Sequence, residues 1–139
     1  MIRGFTIAAC TLFTVLAFGQ SQFKEGFIVT LENETIFGEV LYRSNDKNSS
    51  SCIFKNKNGQ EIKYFPGKRI KAFGYVGDKY FTSDIRPGFF VEALVIGDMS
   101  LFKSNDRYYI RKKNQIHVLE KTKNKPNKWK GILSYLISD

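Results

Sequence analysis

The chain has 139 residues, 22 of them basic and 13 acidic, for a formal net charge of +9. One histidine and two cysteines leave no donor set for a His/Cys metal centre. Eleven glycines, each standing singly, leave no phosphate-cradling loop. The length fits one domain.

Residues 1–19 read as a secretory signal peptide. Met1-Ile2-Arg3 is a short positive start, residues 4–18 are apolar, and Ala17-Phe18-Gly19 places small residues at the −3 and −1 positions of a cleavage site. Two other readings compete. A retained anchor would need about 20 apolar residues, more than this run offers. A lipobox is spelled by Ile7-Ala8-Ala9-Cys10, but cutting there would strand the apolar run behind the cysteine. The expectation is export, to the periplasm, the outer-membrane periphery or the extracellular medium. No transmembrane segment follows. Removal of the signal leaves Cys52 as the only cysteine, which excludes an internal disulfide. Its strand-like neighbours predict a buried small hydrophobe rather than a reactive thiol.

The predicted β domain runs over residues 26–120, after a polar, frayed lead-in at 20–25. In the stretch 26–43, Phe27, Val29 and Leu31 alternate on one run, and Ile36, Gly38, Val40 and Tyr42 on the next. That period of two predicts a hairpin with Glu32-Asn33-Glu34 as its loop. Residues 44–51, polar throughout, predict a mobile loop. Residues 52–55 and 60–65 flank Asn56-Lys57-Asn58-Gly59, a turn signal. After Pro66-Gly67, strands are expected at 70–76 and 79–82, joined by Gly77-Asp78. Gly97-Asp98 joins 89–96 to 99–103, and both Gly-Asp pairs read as the same two-residue turn. Residues 89–96 are apolar on both faces apart from Glu92, the pattern of a central strand covered on both sides. Weaker strands follow at 107–111 and 116–120. The aromatic side chains read as core and cross-strand packing rather than as an exposed ligand platform.

Residues 121–127 form a basic linker. Over 128–138 the period changes: Trp129, Ile132, Leu133, Leu136 and Ile137 fall at i, i+3, i+4, i+7 and i+8, an amphipathic helix. Gly131 weakens that helix by about 1 kcal/mol relative to Ala. The fold class is thus all-β, an antiparallel meander of about nine strands. It is expected to form a small barrel or two packed sheets, with one C-terminal amphipathic helix.

The charge excess belongs to the C-terminal end. Residues 20–102 hold 11 basic and 10 acidic side chains, whereas residues 103–139 hold 10 basic and 3 acidic. Export makes nucleic acid a poor partner for this end. An anionic glycan or lipid, or an envelope protein, suits the compartment better. Lys121, Lys123, Lys125, Lys128, Trp129 and Lys130 are the candidate contacts with such a partner or a membrane. Docking of the helix stripe on the sheet is the preferred alternative to a membrane-lying helix. His117, alone on a weak strand, gives no triad, and no catalytic, cofactor-binding or metal residue is assigned.

The stretches 26–43, YFPGKRIKAF (64–73), KYFTS (79–83), FFVEALVIGDMSLF (89–102) and KWKGILSYLISD (128–139) together resemble a group of secreted β-rich proteins of Bacteroidetes-type bacteria. The resemblance implies an exported β-rich module and carries over no catalytic residue. Some members bear further helices or an outer-membrane barrel beyond the equivalent of Asp139, so this chain resembles the short members. It departs from them at the first hairpin, where the usual Gly-Asp-Thr is Asn33-Glu34-Thr35. The expected function is a non-catalytic envelope module for protein interaction or structure. A binder of anionic glycan or lipid is the alternative, and an enzyme acting on an envelope polymer the remaining one.

Overall fold

The computed structural model describes residues 22–105, 107–120 and 127–138. The expected signal peptide and the linker residues 121–126 lie outside them. Ten strands form one antiparallel sheet: β1 Phe23–Thr30, β2 Thr35–Leu41, β3 Cys52–Lys55, β4 Glu61–Tyr64, β5 Ile70–Tyr75, β6 Tyr80–Thr82, β7 Val91–Val95, β8 Met99–Ser104, β9 Arg107–Lys112 and β10 Gln115–Leu119. Two helices accompany them, α1 Asn45–Ser50 and α2 Lys128–Ser138. The all-β class with a C-terminal helix is therefore as expected. The first strand opens three residues before the expected boundary, because Phe23–Glu25 already pair with Glu39–Leu41.

The strand order is β10-β9-β8-β7-β6-β5-β1-β2-β3-β4. From β5 onward the sheet is a meander, but β1 stands between β2 and β5. The chain must return from the β4 edge to β5 through residues 65–69. In a flat sheet that return would cross four strand spacings, roughly 19 Å. A segment that turns at Gly67, where φ is +67°, cannot reach so far. The sheet therefore curls, and an isolated parallel bridge joins Pro66 to Ile70 where its edge comes round. It is curled without closing into a barrel. Gly26 and Gly38 make the curl feasible. They face each other across β1 and β2, with Val40 packed over one and the Phe54 ring over the other.

The concave side of the curl holds Ile28, Val40, Cys52, Phe54, Ile70, Phe73, Tyr75, Phe81 and Phe90. Phe73 stacks on Phe81 at 4.9 Å and meets Phe90 edge-on at the same separation. Helix α1 plugs this core, which corrects the expectation of a mobile loop at 44–51. Hydropathy hid it, because a buried polar residue anchors the helix. Asn48 is fully buried and donates to the Tyr75 hydroxyl at 3.1 Å and to the Arg43 carbonyl at 3.2 Å. Phe90 N–H reaches the Ser49 carbonyl at 2.8 Å, tying the helix to the approach to β7. Cys52 is buried as expected, and burial pushes its thiol pKa up to about 12.

Beyond β6 the packing changes face. Ile85, Val91, Phe102 and Tyr109 form a second cluster on the opposite side. Residues 89–96 are thus interior to the sheet by hydrogen bonding but are not covered on both sides. Phe90 and Val91 are buried, while Leu94, Val95 and Ile96 are exposed at the hairpin end. The β7–β8 tip and the Gly77 turn are also different devices. Gly77 has φ +72° in a turn closed by Asp78 N–H to the Tyr75 carbonyl, whereas Gly97 has no positive φ and its N–H meets Ser100 Oγ.

Candidate functional site: an apolar groove under the C-terminal helix

Register carries one row of side chains across the sheet. Phe73 pairs with Phe81, Phe81 with Glu92, Glu92 with Lys103, Lys103 with Tyr108 and Tyr108 with Leu119. Directly paired residues share a face, so the face that forms the first core continues into β7–β10. There no strand folds back to cover it. On β8 the period of two is plain: Ser100, Phe102 and Ser104 are buried against the second cluster, while Met99, Leu101 and Lys103 look the other way. Val95, Leu101 and Ile110 line up across three strands on this face, Val95 exposed, Leu101 half-buried and Ile110 buried.

Helix α2 covers it in part. Leu136, in the last turn, is 4 % exposed and is the only buried residue of the helix. Lys112 Nζ donates to the Leu136 carbonyl, so the C-terminal end is pinned to β9. The first two turns border β10, where Lys128, Trp129 and Ile132 surround a small recess with Val118 and Glu120. Between these turns and β7–β10 lies a groove of about 860 Å³, lined by Val95, Met99, Leu101, Ile110, Leu119 and Leu133. Its other walls are Tyr108, Asn127, Trp129 and Lys130, the last the one charged side chain of the lining among the described residues. Of the expected stripe, Trp129, Ile132, Leu133 and Leu136 face the sheet to differing depths. Ile137 does not, at 65 % exposed. At 3.6 residues per turn it lies about 80° round from Trp129, off the contact line.

The expected contact residues divide. Lys121, Lys123 and Lys125 lie outside the described residues. Lys128 is exposed and borders a 120 Å³ recess on the other side of Trp129, with Val118, Glu120 and Ile132. Trp129 and Lys130 both line the groove, with Lys130 Nζ 5.6 Å from the indole centroid. The strand residues of the groove were missed by the sequence reading. Only Val95 among them had a signal, the two-sided apolarity of 89–96, and that was assigned to the interior.

Elsewhere the chemistry is sparse. No group of three or more His, Cys, Asp or Glu side chains gathers among the described residues. His117 is half-buried on β10, opposite Ile110. A polar recess of 180 Å³ beside α1 includes Asp46, Ser49 and Glu92. Its Glu92 carboxylate accepts from Asn45 Nδ2 at 2.7 Å, and Asn45 Oδ1 accepts from Lys79 Nζ at 2.9 Å. Those side chains serve to hold α1 on β7. Among the described residues no helix is long and apolar enough to cross a membrane. No protein-family model, curated protein or solved structure matches the chain.

Proposed function

We propose that the chain is an exported, non-catalytic binding module of the cell envelope, and that the groove beneath α2 binds the apolar part of an amphiphile. One observation carries the reading. A concave, apolar groove of about 860 Å³ with a few polar groups at its wall has the size and lining of clefts that hold small ligands, ~300–1,000 Å³. A protein partner, the reading that sequence put first, is less well served, since such interfaces spread over about 800 Å² of each surface. Export rests on the pattern of residues 1–19. Binding by packing alone asks nothing of His117 or of the dispersed carboxylates.

Trp129 is the only tryptophan of the chain and lines the groove, so its emission reports occupancy. Titration of the protein with dodecanol should shift that emission to the blue and saturate. Leu133→Asp, which places a charge in the apolar wall, should abolish the shift. A wild-type protein whose emission stays unchanged up to the solubility limit of the alcohol would refute the reading.

A further inference from the structure

We infer that the groove selects an anionic single-chain amphiphile, with Lys130 reading the head group; this rests on the proposed apolar binding site. The charge distribution supplies the argument. Lys130 is the sole charged residue of the lining among the described residues and is exposed, so its ammonium stands at the groove's rim rather than in its floor. Its neighbours are cationic. Lys103 and Lys112 stand on the groove's face of β8 and β9, paired with Tyr108 and Met99, and among the described residues from 103 to 138 the single acidic residue is Glu120. That carboxylate is already engaged by Arg107 Nε at 3.1 Å. Lys103 approaches the Tyr108 ring, another wall of the groove, at 5.7 Å. The first turn of α2 holds no acidic residue of its own to offset the positive end of the helix dipole. An apolar slot with Lys130 at its rim and Lys103 beside its Tyr108 wall matches a carboxylate or phosphate monoester on a single acyl chain. The occupant is a free amphiphile rather than a bilayer face. Leu133 and Trp129 turn inward to the sheet, and α2 stands between the groove and any planar surface laid against the helix.

The test compares dodecanoate with dodecanol at neutral pH, read through Trp129 emission. An exposed charge pair is worth roughly a two- to five-fold change in affinity. Dodecanoate should therefore bind two- to five-fold more tightly than dodecanol, and the advantage should shrink as salt is raised from 0.05 to 0.5 M. Lys130→Gln should bring dodecanoate down to the affinity of dodecanol while leaving dodecanol unchanged. Lys57→Gln, an equal charge loss at the distant β3–β4 turn, should leave the preference intact. Equal affinity for acid and alcohol in the wild type would overturn the inference while sparing the apolar site. So would an unchanged preference in Lys130→Gln. Failure of both amphiphiles to bind would remove the proposed function itself. Binding confined to vesicles of phosphatidylglycerol, with no response to monomeric dodecanoate, would assign the face to a membrane surface and overturn the inference.

Discussion

Leu136→Ala tests whether α2 is a wall hinged on one anchor. Leu136 is the one side chain of the helix that is fully withdrawn from solvent. Truncating a buried leucine costs about 2–5 kcal/mol. The low end applies here, ~2–3 kcal/mol, because the site lies under a helix at the edge of the sheet and can relax. An eleven-residue helix is marginal alone in water, and Gly131 weakens this one further. A loss of that size is therefore enough to release α2. Neither hydrophobic cluster of the sheet includes a residue of the helix, so the loss should stay local. Trp129 emission should move to the red and become more open to iodide quenching, while the sheet melts within a few degrees of wild type by circular dichroism. Gly131→Ala should act in the opposite direction. A Cβ there meets nothing within 4 Å, so the helix gains about 1 kcal/mol and the indole becomes better shielded. A Leu136→Ala protein whose sheet unfolds more than 10 °C early would show α2 to be part of the cooperative core. One with unchanged indole emission would show that Leu136 is not the anchor.

Two further outcomes concern the body of the sheet. Gly38→Ala would place a Cβ 2.5 Å from the Lys55 carbonyl oxygen and 2.6 Å from Phe54 Cζ; since a backbone atom cannot swing aside, the expected loss is about 2–3 kcal/mol, read as a lower denaturant midpoint at constant slope. Cys52, with its pKa raised by burial from 9.0 to about 12, holds its proton more tightly folded than unfolded. The stability this confers is complete below pH 9 and drains away as pH rises toward 12. Urea midpoints should accordingly fall more steeply above pH 9 in wild type than in Cys52→Ala, and parallel curves would discount the thiol.

Much of the sheet was legible because its interior obeys a period of two. Val40 is buried on the alternating face of the second run, although in β1 the buried side chain is Ile28 rather than the Phe27, Val29 and Leu31 row, and the Asn56–Gly59 turn closes as composition suggests, with Gly59 at φ +79° and Gly59 N–H bonded to the Asn56 carbonyl. Helix α1 was not legible, because its anchor is Asn48 and a hydropathy pattern scores asparagine as solvent-seeking wherever it stands. Only the tertiary structure brings the Tyr75 hydroxyl and the Arg43 carbonyl to it. Two-sided apolarity misled for a related reason. A strand buried on both faces and a strand with one face in a core and the other in a ligand groove carry the same residues. Leu94 and Val95 would read alike in either.

The same ambiguity explains why the site divides as it does. The helix stripe showed that something apolar must meet Trp129 and Leu133, and its natural partner was the sheet. A stripe cannot show how closely the two surfaces approach. That distance is set by the anchoring of the C-terminal turn, through Leu136 and Lys112, against a first turn in which Lys128 and Lys130 flank Trp129. A helix fixed at one end, with a cationic first turn, need not close on the sheet. The exposed Val95 and half-buried Met99 and Leu101 then have a hydrophobic incentive to be covered, at about 25 cal/mol for each Å² removed from water. A ligand that also brings negative charge to the open end supplies what the helix lacks there. Lys130 and the stripe residues Trp129 and Leu133, which read as competing clues along the sequence, line one groove in the folded chain.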